Sequence, residues 1–163
     1  MEDAEVPRCR VLTDGMDPAS AGTWDTVRMD PDRARDFVRT HHRAVLATRS
    51  EAGIQQSPVL VGVDEAGRLT ISSRETAYKT RHLRRDPWAQ LCVLNDGFFG
   101  DWVYVEGEAE VVSLPDAMEP LVDYYRGIAG EADDWDAYRA GMERERRVII
   151  RVTPHRAGPD RQG

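Results

Sequence analysis

Apolar residues recur at helical spacing between Asp30 and Thr40, with Ala34, Phe37 and Val38 on one side, and from Ala44 onward the period shortens to two. Asp30 followed by Pro31 gives an N-cap and a proline at the first helical position, which predicts a helix ending at Thr40. Extended segments then succeed one another: AVLAT, QSPVLVGV and RLTIS, separated by turn signals at Glu51-Ala52-Gly53 and Asp64-Glu65-Ala66-Gly67. Turns that short join antiparallel strands. Pro58 has no N–H to give a ladder, so its strand is expected at an edge or bulged, leaving nearby backbone groups free to bind something else. AQLCVL, a loop from Asn95 to Asp101 and the long strand WVYVEGEAEVV follow, with Gly107 marking a bulge or bend. A helical segment runs from Pro115 to Arg126 with Met118, Leu121, Val122 and Tyr125 on one face, and a second spans Glu131 to Arg146. Val148-Ile149-Ile150-Arg151-Val152 returns as a last strand before a polar tail. Six antiparallel strands with few flanking helices make a mainly β, α+β chain, and a small barrel is the economical arrangement because closure removes exposed edges.

A chain of 163 residues holds one domain with a real core. Residues 1–28 mix acids, Gly, Pro, Ala and Ser without a period, so a loosely held extension is expected there, with Trp24 as a residue that could dock somewhere, ahead of a single domain over 29–163. The net charge of -7 argues against a general nucleic-acid binder. Cys9 and Cys92 share no short spacing with each other or with histidines, which argues against a standard zinc site and a disulfide framework. Glu2, Asp3 and Glu5 stand where a targeting segment would be basic, and the longest apolar run, around Val59 to Val63, is far below a membrane span. A soluble cytoplasmic protein is the expectation.

Against that acidic background one stretch is basic. From Arg68 to Arg85 stand Arg68, Arg74, Lys79, Arg81, Arg84 and Arg85 against the single acid Glu75. The stretch reads as a strand turning into a short helix closed by Pro87, with Ser72-Ser73-Arg74-Glu75 giving a capping-box pattern. A helix N-terminus offers unpaired N–H groups and the positive end of its dipole, and adjacent serine hydroxyls add donors for a phosphate. Lys79 is the only lysine in the chain, a compact point charge suited to such a group. A solvated helix face with one lysine left by chance accounts for the same residues, and the stretch alone does not choose between the two.

Other constellations carry less chemistry. His41 and His42 are adjacent and cannot chelate one ion from a helix, so cations at a helix C-terminus are the better account. Glu106, Glu108 and Glu110 face one way along a strand, which fits a solvated face better than paired glycosidase carboxylates. Asp133, Asp134 and Asp136 read as helix-start acids beside Trp135. Cys92 lies in an apolar strand, where a buried inert thiol is expected. Ser57, Ser72 and Ser73 have no nucleophile elbow around them, and neither a P-loop nor a Gly-x-Gly-x-x-Gly run is present. A phosphate cradle without nucleophile, metal or acid–base signatures points to a bound cofactor that supplies the chemistry.

Over about residues 33 to 160 the chain resembles the deazaflavin-dependent branch of the pyridoxamine 5'-phosphate oxidase-like superfamily. The likeness is carried by Ser57-Pro58-Val59 on one strand, Ser72-Ser73 ending the next and AYKTR-x-LRRDP in the following helix. The segment LVDYYRGIAGEADDWDAYRAGMERERRVIIRVTP is similar to the usual ending of these actinobacterial proteins. The resemblance implies a six-stranded split β-barrel of the FMN-binding type, a homodimer with two cofactor sites at its interface, and coenzyme F-420 used for hydride transfer to a small conjugated or quinone-like acceptor. It places Gln56, Ser57, Pro58 and Val59 along the deazaflavin ring, Ser72 and Ser73 near the ribityl chain, Lys79 and Arg81 on the phosphate, and Trp102 at the substrate end from the partner chain. It implies no metal. His82 stands where the family commonly has Asn, and Ala77 where some members have an arginine, so the phosphate grip would be redistributed toward Arg74, Arg84 or His82. An FMN-dependent oxidase and a non-catalytic flavin, F-420 or haem carrier of the same fold are the alternatives.

Overall fold

Helix α1 (Pro31–Thr40) begins where its sequence demands, with Asp30 capping the Asp32 amide and Pro31 in the first turn. The computed structural model describes residues 29–97 and 100–162, so the expected extension over 1–28, with Cys9 and Trp24, lies outside the described residues. Among these, seven strands and three further helices follow: β1 (Arg43–Ser50), β2 (Gly53–Leu60), β3 (Gly62–Val63), β4 (Leu69–Arg74), α2 (Tyr78–Arg85), β5 (Trp88–Leu94), β6 (Asp101–Ser113), α3 (Met118–Ala129), α4 (Trp135–Arg144) and β7 (Arg147–Gln162). No helix among them is long and apolar enough to cross a membrane.

The strands form one antiparallel sheet in the order β2-β1-β5-β6-β7-β4-β3, curled into a half-barrel flanked by the helices. Seven strands stand where six were expected, because QSPVLVGV is two strands and not one. The chain breaks at Val61, whose N–H turns to the His42 carbonyl at 2.8 Å while the His42 ring Nδ1 lies 3.0 Å from the Val61 carbonyl. Residues before Val61 pair with β1, and residues after it pair with β4. The two outermost strands of the sheet are therefore neighbours in the chain, joined through one fully buried valine. Leu46, Val61, Leu69, Ile71, Leu91, Val93, Val105 and Ile150 fill the core beneath the curl.

Pro58 lies on an edge strand as expected, opposite Val45. Gly107 marks an irregularity between β6 and β7, and a Cβ there would fall 2.1 Å from the Thr153 carbonyl oxygen, so only glycine lets the strands approach this closely. Two expectations need correction. The capping box does not form: Ser72 and Ser73 stay in the β4 ladder opposite Ile149 and Val148, and α2 begins only at Tyr78, behind Ala77 and without a side-chain cap. Extended pairing persists through Arg74, so Ser72 cannot reach a helical amide. The last strand also does not stop at Val152, since β7 runs on through the polar tail to Gln162 against β6.

Candidate functional site

The break at Val61 leaves the end of β2 standing over the end of β4, and a groove of about 600 Å³ opens between them, the first turn of α2 and the α3–α4 pair. Pro58, Val59 and Leu60 form one wall. Ser72, Ser73, Ala77 and Lys79 form the base, and Tyr124, Tyr125, Tyr138 and Met142 stand across from the strand. Arg74 and Arg147 complete the lining, which contains three cations and no carboxylate. In a chain of net charge -7 that is a marked local reversal of sign.

Most of the basic stretch is already neutralised inside the chain. Arg68 pairs with Asp64, Arg84 with Glu75 and Arg85 with Glu51. Arg74 shares Glu145 with Arg147, at 3.2 and 2.8 Å. The Glu145 carboxyl is held below the usual range, chiefly by hydrogen bonds from Arg147 and then from Arg74. Lys79 and Arg81 have no carboxylate partner among the described residues. Arg81 lies over the Tyr78 ring at 4.6 Å, exposed and outside the groove lining, whereas Lys79 makes no hydrogen bond or ion pair among the described residues and lines the groove. Two positions apart on a helix, the two side chains point to nearly opposite sides.

The base is fixed from beneath. Thr80 is buried, its Oγ1 donating to the Arg74 carbonyl at 2.8 Å and lying 3.0 Å from Ser73 Oγ. His82 is buried too, with Nδ1 3.1 Å from Thr48 Oγ1, so it serves the joint between α2 and β1 and does not face the groove. Arg84 is occupied by Glu75 and Ser113. Of the three residues offered as substitute grips, Arg74 alone lines the groove.

The tyrosine wall has defined polarity. Tyr124 donates its hydroxyl to the Leu60 carbonyl at 3.0 Å, tying α3 to the end of β2, and burial pushes its phenol up to about 12 against the opposing hydrogen bond from the Ser72 backbone. Tyr138 donates to the Leu121 carbonyl at 2.9 Å, and burial raises its phenol as well. Tyr125 is held by ring contacts to Trp135 and Tyr138. A lining of this kind can hold and orient a flat anionic molecule, and among the described residues it contains no hydrogen-bonded pair of nucleophile and base. Gln56 and Ser57 lie earlier on β2, outside the lining, and Trp102 lies on β6 opposite Leu94, separated from β2 by β1 and β5. The sequence had no means to add Arg147, Tyr124 and Tyr138. Arg147 sits in the charge run Glu143 to Arg147, and the tyrosines in helices whose destination depends on contacts far along the chain.

Residues 30–159 match the sequence profile of the family described as pyridoxamine 5'-phosphate oxidase. Among solved structures, a conserved hypothetical protein of Mycobacterium tuberculosis superposes with a TM-score of 0.65 at 24% identity, over 80% of this chain and 84% of that one. A protein described as an F-420 reductase gives 0.59 at 20% identity, over 76% and 94%. A haem-binding protein of Mycobacterium smegmatis gives 0.62 at 18% identity, over 84% and 58%. At these identities the likeness is one of fold.

Proposed function

Since the chain belongs to the pyridoxamine 5'-phosphate oxidase family, we propose that it is an oxidoreductase of the F-420-dependent branch, reducing a small conjugated or quinone-like molecule. The observation that carries this reading is the groove: three cations, no carboxylate, and an unpaired Lys79 beside two serines at the foot of an apolar strand edge. Such a lining fits a flat molecule that is acidic at one end. F-420, when bound, supplies the hydride chemistry, which agrees with a site without a nucleophile and base of its own.

The chain's own residues then have separate tasks. Lys79 holds the phosphate as a point charge with the Ser72 hydroxyl as a donor beside it, while Ser73, buried on the opposite face of the strand and engaged by Thr80 Oγ1, fixes the base. Pro58 and Val59 offer an apolar flank to the ring, with Gln56 and Ser57 continuing along it, while Tyr125 and Met142 narrow the opposite side and exclude water. Arg74 and Arg147 meet further acidic groups once Glu145 gives them up. Arg81, outside the lining, adds long-range attraction. Two copies of the chain form the working unit, with Trp102 of one closing the substrate end of the site on the other. The domain is taken as residues 29–163, working in the cytoplasm.

Titration of the purified chain with F-420 and with FMN tests the reading. F-420 should bind more tightly, and Lys79→Ala should weaken it by about 1 to 3 kcal/mol, the scale of one charge-assisted hydrogen bond. Tighter FMN binding with oxygen consumption would assign the groove to an FMN oxidase. Reduced F-420 that binds yet stays reduced before every quinone offered would make the protein a carrier.

A further inference from the structure

A second cavity, of about 640 Å³, lies on the other side of Tyr124, between the exit of α1, the β3–β4 hairpin and α3. Its floor is a cross-strand row in which Gly62 pairs with Thr70 and Thr70 with Arg151. Directly paired residues show their side chains on one face. A methyl at Gly62 would come 3.2 Å from Thr70 Oγ1 and 3.6 Å from the Tyr124 ring, so glycine keeps that corner open.

The cations of this cavity are unequally provided for. Arg68 gives Nε and its backbone N–H to Asp64, each at 2.8 Å. Arg126 is divided between Asp123 and Glu131 and lies over Trp135. Arg151 is different: its side chain is 22% exposed, the paired carboxylate oxygen of Glu110 stands 3.9 Å from Nη1, and its buried Nε has no hydrogen-bond partner among the described residues. Being buried, Nε cannot itself be reached from the cavity, so an anion would meet this guanidinium at its Nη groups, whose donors the Glu110 carboxylate at 3.9 Å leaves unspent. The flat donor edge of a guanidinium matches a carboxylate, and the Thr70 hydroxyl beside it adds another donor. Asp64, Glu65 and Asp123 also line the cavity, and their charge opposes any ligand with several negative groups.

We propose that this cavity binds a small organic monocarboxylate, its carboxylate on Arg151 and its uncharged body against Tyr124. The inference is independent of what the groove holds, because the floor residues Gly62, Thr70 and Arg151 belong to the cavity alone.

The test uses the whole chain, labelled with nitrogen-15 and titrated with benzoate, its uncharged analogue benzamide, and inorganic phosphate. The Arg151 Nε–H signal should move saturably with benzoate and stay in place with benzamide, and Arg151→Gln should weaken benzoate binding by about tenfold or more. Lys79→Ala should leave it unchanged, which separates this cavity from the groove. An unmoved Nε–H signal, an equal response to benzamide, or tighter binding of phosphate would overturn the proposal. If Arg151→Gln does not fold, crystals of the unaltered chain soaked in 4-bromobenzoate answer in its place. A bromine position beside Arg151 supports the site, and bromine elsewhere or nowhere overturns it.

Discussion

Tyr124 touches both cavities, and its hydroxyl makes two testable contributions. Tyr124→Phe leaves the Leu60 carbonyl without its donor and should lower stability at neutral pH by about 1 kcal/mol in urea unfolding. The phenol of the folded chain ionises near 12, above its ordinary 10, so folding favours the protonated form. The stability linked to this group is fully present below pH 10 and is lost as pH rises toward 12. The advantage of the unaltered chain over Tyr124→Phe should therefore shrink and then reverse across that window, the slope reaching up to about 1.4 kcal/mol per pH unit. A gap that stays constant across it would show the hydroxyl to be as accessible as in the unfolded chain. Gly107 sets a harder limit: Gly107→Ala places a methyl 2.1 Å from the Thr153 carbonyl, and the midpoint of urea unfolding should fall by the equivalent of about 1 to 3 kcal/mol.

At the scale of elements, the sequence was legible wherever a local rule decided. Asp30-Pro31 started α1, Pro58 marked an edge, Gly107 marked an irregularity, and Asp134 caps α4 by accepting from the Ala137 amide at 2.9 Å. It misled where a local pattern competed with a ladder. Ser72-x-x-Glu75 has the letters of a capping box, but the β7 partner holds Ser72 extended, and Glu75 goes to Arg84 and Ser113. Removing the cap that does form offers a check on how the groove is held. Asp134→Ala should cost about 1 kcal/mol and loosen the helix that carries Tyr138 and Met142. Amide exchange should then quicken in α4 before it does in β4; uniform quickening would mean that α4 is not independently anchored.

For the whole molecule, the strand count was nearly readable and the closure was not. Pro58-Val59-Leu60-Val61-Gly62-Val63 is one uninterrupted run of apolar residues and glycine, and nothing in its alternation says that the sheet partner changes in the middle. The groove inherits that blindness, since it exists only because β2 leaves the sheet above β4. The outer face of the sheet bears on the proposed pairing of two copies. Pro58, Val45, Cys92 and Tyr104 stand in register across four strands, beside Leu60 and Leu94 at 49% and 39% exposure. Exposed Arg43 stands in register between the two leucines, so the face mixes apolar area with a cation, a composition that suits a partner surface. Leu94→Glu should shift the chain to monomer in sedimentation equilibrium while leaving its far-UV circular dichroism unchanged; an unaltered mass would move the proposed interface elsewhere.

The single valine between β2 and β3 stitches the two rims of the sheet together, so the curl cannot flatten without tearing its core. A spacer of a few flexible residues inserted beside it would let the rims drift apart. Such a molecule would keep most of its ladders yet present two raw borders to its neighbours, and filament growth, not simple unfolding, would be its way of failing.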